Sequence, residues 1–123
     1  METHKPRLYR EIIDALVEVC RDGQGQIGPQ RVRAGIWNRN ATPDFIPEQH
    51  AINELLSRMT PVDREVVAEM LSHQVEVGIF ESLKVLERFG VAPFQDGYEG
   101  SPFHDFVGRM GDWKWPESAN GNE

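Results

Sequence analysis

The chain has 123 residues, 39% of them hydrophobic and 27% charged, with a formal net charge of −7. That length and balance allow one domain with a real apolar core and exclude wholesale disorder. The lone cysteine, Cys20, excludes an internal disulfide and a multi-cysteine metal cluster, and the acidity disfavours general affinity for nucleic-acid phosphates.

The charge is unevenly placed. Residues 1–46 hold seven Lys/Arg against six Asp/Glu, whereas residues 47–123 hold six against fourteen. No apolar run is long enough to span a bilayer, and the first residues lack the apolar stretch of a secretory signal, so a cytoplasmic protein without membrane contact is expected.

In chain order, Leu8, Tyr9, Ile12, Ile13, Leu16, Val17, Val19 and Cys20 recur at helical spacing, which predicts an amphipathic helix from Arg7 to Asp22, stopped by Gly23. Residues 23–46 are rich in Gly and Pro and read as a connector with a short helical turn around Pro29–Trp37. Pro47 opens a second helix to about Met59, with Ile52, Leu55, Leu56 and Met59 as its core stripe and His50 turned toward solvent.

Thr60-Pro61-Val62-Asp63 is the strongest local signal: a capping threonine, a proline at the first helical position and an acid three residues after the cap. The helix it opens runs to Phe89, with Gly90 as terminator. Val62, Val66, Met70, Val77 and Phe80 share one face, and Val75, Ile79, Leu86 and Phe89 share another. A helix apolar on two sides is expected at the centre of a bundle. Ser101-Pro102 repeats the cap-plus-proline device for a short helix with Phe103, Phe106, Val107 and Met110 in register, and Trp113 and Trp115 follow in an extended segment. The expected fold class is therefore all-α, a small helical bundle around a long central helix over about 61–89. A kink at Gly78 is an alternative, and an irregular aromatic C-terminal segment completes the chain. Residues 1–116 read as a single helical domain and residues 117–123 as a disordered tail.

His73 falls at helical spacing within the first apolar stripe and is expected to be partly buried, with Glu69 and Glu76 one turn to either side. A core histidine held by a glutamate is the favoured reading, because buried polar groups are normally satisfied without doing chemistry. The chemical reading makes His73 a general base or metal ligand, completed by His104 or Asp105. Ligand pairs such as His-x-x-x-His and Glu-x-x-His do not occur, so no metal site and no cofactor is expected. Gly23-Gln24-Gly25-Gln26-Ile27-Gly28 has glycines at phosphate-loop spacing, but it lacks the preceding strand that gives the motif meaning. Arg31, Arg33 and Arg39 cluster near Trp37 as candidates for anion contact.

The segment from Asp96 to Met110, DGYEGSPFHDFVGRM, followed by Trp113-Lys114-Trp115-Pro116, resembles the C-terminal signature of an uncharacterised family of small bacterial helical proteins. The likeness extends through the long helix and the Arg-Ala-Gly-Ile-Trp stretch at 33–37. It implies a bacterial, intracellular protein and carries no activity with it.

Taken together, these features favour a non-catalytic module that binds a protein partner, in a regulatory or immunity-like role. Its contact surface is expected in the acidic second half and the aromatic segment, through Tyr98, Glu99, Phe103, Trp113 and Trp115. The alternative is a small metal-dependent or acid/base enzyme using His73 with Glu69 or Glu76 and His104 or Asp105. Phosphate or RNA contact through the three arginines is a third reading, with nucleic acid disfavoured by the charge. A homodimer is compatible with all three.

Overall fold

A computed structural model of the chain describes residues 7–98 and 101–116. The helices are α1 (Arg7–Arg21), α2 (Ile27–Ala34), α3 (Pro47–Ser57), α4 (Pro61–Arg88) and α5 (Pro102–Met110), with a single 3-10 turn at Gln24–Gln26 before α2. Among the described residues there is no strand, so the protein is all-α with one long helix. The predicted tail at 117–123 lies outside the described residues.

Local chemistry sets the helix limits. Proline stands at the first position of α3, α4 and α5, where its missing N–H removes no helical bond. Thr60 Oγ1 accepts the Asp63 N–H at 3.1 Å, the capping contact predicted there. Ser101 precedes Pro102 as expected, but its side chain makes no capping bond. Helix α2 ends at Gly35, whose φ of 82° lies in the left-handed region that penalises a Cβ. Its N–H donates to Val32 O at 3.0 Å, and the Ile36 N–H reaches back to Arg31 O at 3.2 Å, a Schellman closure that satisfies the last carbonyls.

The backbone contacts fall into two units, residues 20–75 and residues 1–19 with 76–123, and α1 and α4 contribute to both. In the 20–75 unit the core is Val32, Leu56 and Ala68, packed with Trp37, Ile52, Met59, Val67 and Leu71. Gln26 Nε2 donates to Cys20 O at 2.6 Å and to Ser72 Oγ at 2.8 Å, tying the 3-10 turn to the end of α1 and to α4. Cys20 is buried, as its place on the α1 stripe predicts.

The first half of α4 corrects the predicted burial. Val62, Val66 and Met70 are 73%, 53% and 61% exposed, and His73 is exposed beside them rather than partly buried. The inward side is instead Arg64, Val67, Ala68, Leu71, Ser72 and Val75. Two of these are polar, which hid this face from a hydrophobicity pattern. Ser72 accepts from Gln26, and Arg64 Nη1 donates to Met59 O at 2.9 Å, while Arg64 Nε is buried without a partner among the described residues. Leu55 and Val107, both expected in core stripes, are exposed as well, whereas His50 is half-buried rather than turned to solvent.

In the other unit Tyr9, Ile13 and Val17 of α1, Leu83 of α4, Phe94 and Phe106 are buried. Asp105, at 0% exposure, is buried with them. Its Oδ2 accepts the Tyr9 hydroxyl at 2.6 Å and the Tyr98 N–H at 2.7 Å. A Cβ on Gly97 would stand 2.5 Å from this oxygen and 2.6 Å from the Ser101 backbone, so only glycine lets the turn close on the carboxylate. Burial first, and then the hydrogen bond and charge of Asp105, push the Tyr9 phenol pKa far above its ordinary value.

Helix α4 continues unbroken through Gly78, where nothing lies within 4 Å of an added Cβ. The Gly78→Ala variant should therefore be more stable by about 0.5–1 kcal/mol in urea denaturation, and a lower midpoint would show that the glycine relieves strain. The Tyr9→Phe variant, which leaves a buried oxygen short of a donor, should lose about 1–3 kcal/mol. The Tyr9 phenol ionises near pH 10 when unfolded and keeps its proton when folded. Its contribution is thus complete below about pH 10 and lost as pH rises beyond it, by about 1.4 kcal/mol per unit at most. Wild type should lose stability more steeply than Tyr9→Phe in denaturation series above pH 10, and parallel curves would contradict the assignment.

Candidate functional site

Beyond the Gly35 turn the chain is held by one asparagine of α3. Asn53 Oδ1 accepts the backbone N–H groups of Trp37 at 2.7 Å and Asn38 at 3.1 Å, while its Nδ2 donates to Asn38 O at 2.7 Å. Asn38 Nδ2 donates onward to Gln49 Oε1 at 2.6 Å, and its Oδ1 accepts the Asn40 N–H at 2.9 Å. Residues 37–40 thereby gain the hydrogen bonding that a loop outside regular structure would otherwise seek from water.

This clamped segment and α2 enclose an open groove of about 520 Å³, lined by Ile27, Arg31, Ile36, Trp37, Asn38 and Arg39 among others. Arg31 Cζ lies 5.7 Å from the centre of the Trp37 ring, a cation–π contact that leaves the hydrogens of the fork free to donate. Among the described residues neither Arg31 nor Arg39 has an ion-pair partner. Arg33 differs: its Nε and Nη2 grip Glu65 at 2.8 and 3.1 Å. That hydrogen bond holds the Glu65 carboxyl below its ordinary pKa and raises that of the guanidinium. A second cleft of about 350 Å³ has Trp37 in its wall together with Gly28, Pro29, Leu71 and Val75.

A further exposed feature of the 20–75 unit is the solvent face of α4. Val62, Val66, Met70 and His73 stand at i, i+4, i+8 and i+11, forming one stripe. Asp63 and Glu69 are exposed beside it. His73 forms part of neither cavity wall.

The remaining predicted residues are dispersed. Glu69 is exposed and Glu76 half-buried, one turn to either side of the exposed His73. His73 belongs to the 20–75 unit, whereas His104 and Asp105 belong to the other. His104 is exposed with its ring centroid 4.6 Å from that of Phe103, and Asp105 already serves Tyr9 and Tyr98. Among the described residues, no three His, Cys, Asp or Glu side chains converge as metal ligands would.

Of the predicted contact surface, Glu99 lies outside the described residues. Tyr98, Phe103, Trp113 and Trp115 are half-buried and packed within their own unit. Trp115 lies 5.3 Å from both Tyr98 and Trp113, centroid to centroid, and its Nε1 donates to Asp14 Oδ2 at 2.9 Å. Asp14 Oδ1 accepts from Arg109 Nε at 2.7 Å, and the Arg109 guanidinium also donates to Trp113 O. Arg10 donates to the Tyr98 hydroxyl and to Pro116 O, each at 3.1 Å. The aromatic segment is thus engaged with α1. Asn53, missed from the sequence, stands three residues before the buried Leu56 and beside the half-buried Ile52, a polar residue at the edge of the predicted core stripe.

None of the described helices is long and apolar enough to cross a membrane. No curated protein and no solved structure matches the chain. A family model does match, over residues 2–117, and on that match the chain belongs to a family of unknown function, DUF6547.

Proposed function

We propose that the protein is a binding module whose contact face for a partner protein is the Val62, Val66, Met70 and His73 stripe of α4. The observation that carries this reading is the exposure of three large apolar side chains at successive helical turns, with acids alongside. Isolated exposed apolar residues are ordinary on protein surfaces, but a continuous stripe is the pattern of a helix that docks.

The charges favour one kind of partner. Asp63 and Glu69 flank the stripe, and residues 47–123 carry eight more acids than bases. A second copy would set these acids against their own kind, so the complement is a basic polypeptide with an apolar centre, drawn in by charge and retained by Met70 and the valines.

Affinity-tagged wild type should retain a basic partner from the native cell at low salt and release it as salt rises. Replacing Val66 and Met70 by Glu should weaken that complex about 100-fold. Val107→Glu, at an exposed apolar position in the other unit, should leave it intact. Retention by the Val66/Met70 double variant, or a wild-type dimer in light scattering that the double variant dissociates, would overturn the assignment.

A further inference from the structure

We propose that the groove between α2 and residues 36–40 is a binding site for a small phosphate monoester, gripped by Arg31 and Arg39. The proposal is independent of the α4 face and begins from charge. The chain as a whole has 20 acids against 13 Lys and Arg, but residues 23–43 hold Arg31, Arg33 and Arg39 and no acid at all. Arg33 takes a carboxylate from α4, in a two-pronged bond to Glu65. Arg31 and Arg39 line one concavity and have no carboxylate among the described residues. Two arginines without a carboxylate partner in the lining of one cavity match an anion with several oxygens and nearly two negative charges, which describes a phosphate monoester near neutral pH.

Shape and rigidity agree with that ligand. A volume of about 520 Å³ suits a small molecule. Asn53 and Gln49 fix the wall that carries Trp37, Asn38 and Arg39, so little ordering remains for the ligand to impose. Ile27, Ile36 and the indole edge provide apolar surface for the organic part of the ester, and Arg31 is steadied over Trp37. An extended nucleic acid fits less well. Only two of the three clustered arginines are open, and a chain of charge −7 repels a long polyanion.

Inorganic phosphate and adenosine monophosphate, titrated in low-salt buffer, test the site by calorimetry and by the Trp37 indole N–H signal in proton–nitrogen spectra. Both probes should bind, with adenosine monophosphate the tighter because its nucleoside covers the apolar wall. Arg31→Gln and Arg39→Gln should each weaken binding about tenfold or more, and Arg33→Gln should leave it unchanged, all three keeping the wild-type helical circular dichroism. Absence of both heat and a Trp37 shift at ~10 mM of either probe would overturn the proposal in the wild-type protein alone. So would an equal loss in Arg33→Gln, or preferential binding of a single-stranded oligonucleotide with a salt dependence steeper than two phosphate contacts explain.

Discussion

The carboxylate of Asp105 is the polar centre on which the C-terminal part of the molecule depends. Buried beneath aromatic rings, it accepts the Tyr9 hydroxyl from α1 and the Tyr98 N–H from the turn before α5. A carboxylate without partners in such a place costs several kcal/mol, so helix, turn and carboxylate stabilise one another or none of them holds. The Gly97 turn must be glycine to let the oxygen approach. The Trp115 ring lies 6.0 Å from Tyr9 and is tied through its own N–H to Asp14 of α1. The signature from Asp96 to Met110 thus has a structural meaning in its described part: it joins a chain end to the first helix through one buried charge.

Asn53 plays the corresponding role in the 20–75 unit. The segment between α2 and α3, outside regular structure, has backbone groups that require partners, and a single amide side chain satisfies three of them, at Trp37 and Asn38. The result is a wall tied to α3 by side-chain hydrogen bonds. Trp37 is held at the Gly28 Cα, where a Cβ would come within 3.3 Å of the ring, and so it forms a side of both the polar groove and the apolar cleft.

Much of this architecture was legible in the sequence, and the reasons for success and failure are physical. Helix starts were readable because Pro47, Thr60-Pro61 and Ser101-Pro102 encode backbone geometry locally, and the end of α4 because Gly90 adopts a positive φ, whereas the expected turn around Pro29–Trp37 ran past the Gly35 stop of α2. The face of α4 was misread because periodicity counts apolar residues, whereas Arg64 and Ser72 turn inward by finding hydrogen-bond partners, Arg64 at Met59 just before the helix and Ser72 at the distant Gln26. Once those two occupied the inner side, Val62, Val66 and Met70 were left outside. The same blindness applies to Asp105, which looks from sequence like a surface acid or a catalytic group. Its role exists only because Tyr9, 96 residues away, delivers a hydroxyl to it. Arg31 and Arg39 were identified as a cluster, but their separation from Arg33 required the position of Glu65.

The two units differ in how their polar side chains are engaged. In residues 1–19 with 76–123, Arg10, Arg109, Asp14, Asp105, Tyr98 and Trp115 all engage one another or the backbone, so a newcomer would have to displace existing hydrogen bonds. In residues 20–75, an apolar stripe meets water and two guanidinium groups face a groove without carboxylates. Binding free energy is available only where surface has something to gain from a partner, whether apolar area leaving water or a cation meeting an oxygen. The α4 stripe and the polar groove of the 20–75 unit meet that condition, as do exposed apolar residues of the other unit such as Phe89 and Val107, whereas the Trp115 indole is already engaged with α1.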